Sequence, residues 1–191
     1  MKLADSLDIR DYVVTFKNLL SQDTCTQLMN WLTTLPEADN AWDGWEVAKS
    51  ATGHDQQEIT EHRTCHFTML NEHRAPNFAN LEMALHHVNE KYPFQHNSHS
   101  HTGIQVLRYQ QGHKFREHID HYSGGPRILS ISILLNNDYE GGRFSFWQGR
   151  HSAERFTEAG DALVFPSSLC FPHQVEPITK GTRYSMVIWT K

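Results

Sequence analysis

His118-Ile119-Asp120 sets an imidazole and a carboxylate two residues apart, and His173 and Arg183 follow far downstream. Successive side chains of a β-strand point to opposite faces, so positions i and i+2 share a face, about 7 Å apart. On a strand, His118 and Asp120 therefore aim at one point. A second imidazole from a distant strand, His173, completes two nitrogens and one oxygen on one side of a metal ion. That donor set leaves coordination positions open, as in 2-His-1-carboxylate ferrous sites. Both rings must be neutral to ligate, so metal affinity should fall below about pH 6.5.

An H-x-D pair alone carries little weight among 14 histidines. Its setting adds the weight. Residues 104–112 read as a strand entering a turn and 115–121 as the next strand. Residues 127–136 form an alternating, β-branched run closed by Asn136-Asn137-Asp138. Strand-like runs at 141–147, 160–166, 173–178 and 181–189 complete the series, most of them opened by glycine.

Over roughly residues 102–190 this order of motifs resembles the 2-oxoglutarate- and Fe(II)-dependent dioxygenases, in particular their prolyl-4-hydroxylase-like branch. The resemblance implies a mainly β fold, a double-stranded β-helix (jelly-roll) core packed by N-terminal helices, with the metal inside one end. It makes His118, Asp120 and His173 the iron ligands. Arg183 matches the clamp on the distal carboxylate of 2-oxoglutarate, and Tyr109 a hydroxyl on the same carboxylate. Arg127 matches an arginine that holds substrate near the iron, and Trp189 a tryptophan that walls the pocket. The cofactors implied are Fe(II), 2-oxoglutarate as cosubstrate and O₂, with ascorbate (vitamin C) as a further candidate.

Side-chain physics agrees with these roles. A guanidinium stays charged at any working pH and offers paired donors to a carboxylate, which suits an anion clamp better than lysine. A phenol adds one more donor. One position departs from the pattern: Leu134 stands where some members carry a second tyrosine. Upstream, Glu61-His62-Arg63-Thr64 is similar to a short Arg-Thr element of plant-like prolyl hydroxylases.

The activity implied is hydroxylation of an unactivated C–H bond, that of a peptidyl proline first, with succinate and CO₂ as co-products (a procollagen-proline dioxygenase-like enzyme). Its partner would be a proline-containing peptide or protein. Alternatives are another peptidyl residue, a free amino acid or another small molecule. A non-oxygenase cupin-like metal-binding protein or zinc hydrolase is a further alternative, in which Arg183 would be idle. Nucleic-acid demethylases resemble a pattern with a second arginine where this chain has Trp189.

A length of 191 residues suits one domain, with 102–191 as catalytic core and 1–101 as helical and strand support plus a substrate loop. Net charge of −5 with scattered Lys and Arg argues against a nucleic-acid partner. Asp5 and Asp8 interrupt the start and no apolar h-region follows, so no secretory signal is read there. No apolar run approaches the ~18 residues of a membrane span. Cys25, Cys65 and Cys170 form no CxxC pair and read as reduced thiols. A soluble, cytoplasmic protein without a membrane partner is the expectation.

Residues 11–16 read as a strand. Ser21 caps a helix with apolar positions Cys25, Leu28, Met29, Leu32 and Leu35, ended by Pro36. Residues 37–60, with Gly44 and Gly53, read as a loop or irregular strands able to cover substrate. Pro76-Asn77 precede a second helix bearing Phe78, Leu81, Leu85, Val88 and Tyr92, stopped by Pro93. Both helices should back the larger sheet. His96, His99 and His101 read as a solvated connection, His86 and His87 as surface residues. His113 and His121 are not expected to ligate. Phe146 and Trp147 are read as core or rim.

Overall fold

The computed structural model describes residues 8–52, 55–57, 61–94, 100–121, 127–154 and 156–191. Residues 9–12 form a 3-10 turn rather than the expected start of a strand. The Asp8 carboxylate accepts from the Arg10 N–H at 2.9 Å and Asp11 accepts from the Asp8 N–H at 3.2 Å, a local exchange that competes with extended pairing. Strand β1 is thus short, Val14–Phe16.

Helix α1 (Gln22–Leu32) starts as the sequence implies, with the Ser21 hydroxyl accepting from the Thr24 N–H at 3.1 Å. It stops before Pro36 because Thr33 and Thr34 donate their hydroxyls to the Asn30 and Trp31 carbonyls, taking up the last turn. Within 37–60 the chain makes β2 (Glu46–Val47) and a hairpin of β3 (Ser50–Thr52) and β4 (Asp55–Gln57). Gly53 lies outside the described residues. Next come β5 (His66–Leu70) and helix α2 (Phe78–Lys91).

The remainder is strand: β6 (Ile104–Tyr109), β7 (Phe115–His118), β8 (Leu129–Leu134), β9 (Glu140–Gly141), β10 (Phe144–Phe146) and β11 (His151–Ser152). Then follow β12 (Ala162–Pro166), β13 (His173–Val175), β14 (Ile178–Lys180) and β15 (Arg183–Trp189). Antiparallel pairing gives a larger sheet, β1-β12-β8-β15-β6-β5-β2, and a smaller one, β11-β10-β13-β7. These two sheets make a double-stranded β-helix.

Period-two alternation assigns each strand residue to a face. Ile104, Val106, Ile131, Ile133, Met186 and Ile188 meet Leu28 and Leu32 of α1 and Leu81, Leu85 and Val88 of α2, so the helices back the larger sheet. Each such side chain stabilises the fold by ~1.5–3 kcal/mol when fully buried. The opposite face contributes Leu107, Tyr109, Leu134, Leu163 and Phe165 to a second core with Phe144, Phe146 and Val175 of the smaller sheet. Every residue of β8 is therefore buried, as a central strand covered on both faces must be. Leu134, at the departure from the tyrosine pattern, belongs to this inner core.

His86 and His87 are exposed. His101 is not a solvated loop residue: it is half-buried, bridges to Thr190 and pairs with Glu82 at 3.3 Å. His96 and His99 lie outside the described residues. Among the described residues no helix is long and apolar enough to cross a membrane.

Candidate metal centre

Asp120 is not on a paired strand. Strand β7 ends at His118, which lies opposite His173 of β13. The i,i+2 argument nonetheless brings the groups to one point, because other contacts replace the missing ladder. Ser130 of β8 donates its hydroxyl to Asp120 Oδ2 at 2.6 Å, and the Ser167 hydroxyl lies 2.8 Å from that of Ser130. Arg127 Nη1 donates to the Asp120 carbonyl at 3.2 Å and its guanidinium stacks 3.7 Å over the Trp189 ring.

His118 Nε2 stands 3.8 Å from Asp120 Oδ1, and His173 Nε2 stands 3.6 Å from Asp120 Oδ2. The three donor atoms lie within 4.8 Å of one another, the single such group among the described residues. Each ring is oriented from behind. The His118 Nδ1–H donates to the Arg116 carbonyl at 2.9 Å and the His173 Nδ1–H to the Phe171 carbonyl at 3.0 Å, which leaves both Nε2 lone pairs for a metal. Phe115 stacks on His118 at 3.4 Å, and Phe144 on His173 at 5.2 Å.

Burial drives the His118 pKa well below 6.5, and the neighbouring His173 adds to the effect. Asp120 is held below its usual range: burial opposes ionisation, but His173, His118 and the Ser130 hydrogen bond outweigh it. The site is thus an anion and a neutral ring at neutral pH, ready for a cation. A depressed histidine pKa means the unfolded chain binds the extra proton between that pKa and 6.5. The stability from neutral His118 is complete above about pH 6.5 and is lost as pH falls through the depressed value. The His118 ring is therefore expected to stay neutral and able to ligate below pH 6.5, and to lose that ability in more acid solution. NMR of the His118 ring across pH checks this; a His118 midpoint at or above 6.5 contradicts it.

Ser130→Ala is expected to weaken Co(II) binding about ten- to hundredfold, the usual worth of a partner that orients a metal ligand. An unchanged dissociation constant would show that Asp120 needs no such support.

All seven residues singled out in the sequence line one cavity of about 310 Å³, within the range of small-ligand sites. Tyr109 and Arg183 face each other across the β6–β15 pair. Both are buried, Arg183 to 1 % exposure, yet the Tyr109 hydroxyl and Arg183 Nε have no hydrogen-bond partner among the described residues. No described carboxylate pairs with Arg183; its Nη1 donates to Ser185 Oγ at 2.7 Å. Leaving such donors buried and unsatisfied is costly, so the pair is complementary to an anionic ligand. Burial pushes the Tyr109 pKa upward, which keeps its proton available for donation. Gly142 guards this corner: its φ is +63°, and a Cβ there would collide with Ile178 and press on Arg183.

His121 lines the cavity but is exposed and outside the three-donor group. His113 sits in the β6–β7 turn, stacked 5.8 Å from His66. Sequence reasoning missed Ser130, Ser132 and Ser185, which also line the cavity. Their signal was legible: serines at alternate positions of otherwise apolar strands mark the inner face.

Residues 104–191 match the family model of the 2OG-Fe(II) oxygenase superfamily. Over this segment, a little under half of the chain, the sequence is similar to that superfamily. Solved structures add similarity of fold over most of the chain. A prolyl hydroxylase of Trichoplax adhaerens, solved in complex with a hypoxia inducible factor oxygen degradation domain peptide fragment, superposes with a TM-score of 0.72 at 15% identity, over 94% of this chain and 83% of that one. A Pseudomonas putida prolyl-4-hydroxylase gives 0.69 at 19% identity, over 94% and 92%. A PKHD-type hydroxylase of Acaryochloris marina is 37% identical over 90 residues, 44% of this chain and 39% of that protein. One of Maricaulis maris is 36% identical over 92 residues, 46% and 41%. The oxygenase segment thus spans about two fifths of the length of these curated relatives.

Proposed function

We propose that this chain is a 2-oxoglutarate- and Fe(II)-dependent dioxygenase, one catalytic domain over 1–191, that hydroxylates a peptidyl proline. One observation carries the reading: a three-donor metal site and an unsatisfied Arg183–Tyr109 pair share a single cavity. Fe(II) with 2-oxoglutarate and O₂ would supply the oxidation of an unactivated C–H bond, yielding succinate and CO₂.

The chain's residues do the rest. His118, Asp120 and His173 hold the metal, their orientation set by the Arg116 and Phe171 carbonyls and by Ser130. Arg183 and the Tyr109 hydroxyl take the distal carboxylate, with Ser185 fixing the guanidinium. Phe115, Phe144 and Phe165 pack around the two rings and keep water from them. Arg127 and Trp189, stacked at the cavity wall beside Asp120, face the substrate. Likeness to prolyl hydroxylase folds and to PKHD-type hydroxylases supports proline as the target. The free thiols Cys25, Cys65 and Cys170 fit a cytoplasmic setting.

Proline-containing peptides incubated with Fe(II), 2-oxoglutarate and ascorbate should gain one oxygen, in step with succinate. Oxygen insertion into free amino acids but no peptide would replace the peptidyl reading. Activity supported by zinc alone would remove the dioxygenase reading itself.

A further inference from the structure

The chain carries a net charge of −5, yet the described residues lining the cavity include four cations, Lys49, Arg63, Arg127 and Arg183, against the carboxylates of Glu46 and Asp120. Asp120 belongs to the metal and Arg183 to the cosubstrate in the reading above. Glu46 is committed to the Ala41 N–H at 2.9 Å. Among the described residues, Lys49, Arg63 and Arg127 still outnumber the Glu46 carboxylate, so the balance left there is positive.

Arg63 is the unexplained member. Its guanidinium lies 4.6 Å over the Phe115 ring, whose neighbour in the stack is the ligand ring of His118. Its Nε donates to Cys65 Sγ at 3.1 Å and its Nη1 to the Lys49 carbonyl at 3.3 Å. Neither acceptor is charged, and no described carboxylate forms an ion pair with it. A half-buried guanidinium held by a thiol and a carbonyl has donors and charge to spare for an anion. Lys49, whose carbonyl it grips, is exposed beside it.

Two carboxylates could use this cation, one on the cosubstrate and one on the primary substrate. Depth separates them. Arg183 is sealed at 1 % exposure, whereas Arg63 is reached from solvent next to Lys49. We propose that Arg63, with Lys49 beside it, is a carboxylate-recognition subsite at the cavity mouth, and that the substrate is an acidic peptide with a carboxylate flanking the oxidised residue. This proposal rests on the dioxygenase reading for its orientation. The positive mouth on an acidic chain also concentrates such substrates, an effect that salt removes.

Wild-type protein loaded anaerobically with Fe(II) and 2-oxoglutarate is equilibrated with an equimolar mixture of synthetic pentapeptides. Each has a central proline flanked by glutamate, glutamine or lysine, and retained peptides are counted by mass spectrometry. The expected result is about tenfold enrichment of the glutamate series over glutamine, shrinking at 1 M salt. Arg63→Glu should invert the preference towards lysine, and Lys49→Glu should weaken it, which guards against misfolding of one variant. Overturning results are no glutamate enrichment (including no retention of any peptide), enrichment unchanged in both variants, or Arg63→Gln weakening 2-oxoglutarate tenfold while selection persists. The absorbance of the Fe(II)–2-oxoglutarate complex, read in the same samples, reports separately on the dioxygenase reading. A band without selection removes only the subsite.

Discussion

Replacing Arg183 by glutamine is expected to weaken 2-oxoglutarate binding by about 10²-fold or more. The guanidinium is buried, faces Tyr109 across the β6–β15 ladder and meets no described carboxylate. Truncating one member of a buried, hydrogen-bonded charge pair costs ~2–5 kcal/mol, and tenfold in affinity corresponds to about 1.4 kcal/mol. Arg183→Lys should recover little, because a single ammonium cannot present the paired donors of the planar fork. The measurement is an anaerobic titration with 2-oxoglutarate, with Co(II) affinity as the control for an intact metal site. A change of less than about threefold, well under 1.4 kcal/mol, would mean that Arg183 does not hold the cosubstrate.

His173→Ala and Asp120→Ala should each abolish substrate-dependent succinate formation, while His121→Ala should retain most of it. The contrast is geometric. His173 and Asp120 belong to the three-donor group, whereas His121, one residue past Asp120, is exposed at the cavity mouth. Removal of a ligand should exceed the ten- to hundredfold loss caused by removing an orienting partner such as Ser130. Equal losses in all three variants would sink the assignment.

Much of this site was legible in the sequence because its determinants are local or periodic. The i,i+2 spacing of His118 and Asp120 and the alternation of β6, β8 and β15 carry directly into which side chains share a face. The two amphipathic helices and the Ser21 cap were readable for the same reason. What stayed hidden depends on long-range packing. Strand β7 ends two residues before Asp120, so its carboxylate is placed by Ser130 and its backbone carbonyl by Arg127, both from elsewhere in the chain. The Asp8–Asp11 exchange turned an expected strand into a 3-10 turn, a competition between local and sheet hydrogen bonds that hydrophobic pattern does not register. Arg63 gave only a short, unspecific motif; its meaning came from Phe115, Cys65 and Lys49 gathering around it.

The central claim is that one cavity holds a ferrous ion on His118, Asp120 and His173 while Arg183 grips a keto-diacid. Mixing the protein with Fe(II) and 2-oxoglutarate under anaerobic conditions tests it most directly. The account predicts a weak visible absorbance that saturates with 2-oxoglutarate, is lost in Asp120→Ala and needs far more 2-oxoglutarate in Arg183→Gln. A wild-type protein that binds Fe(II) but develops no such band would contradict it.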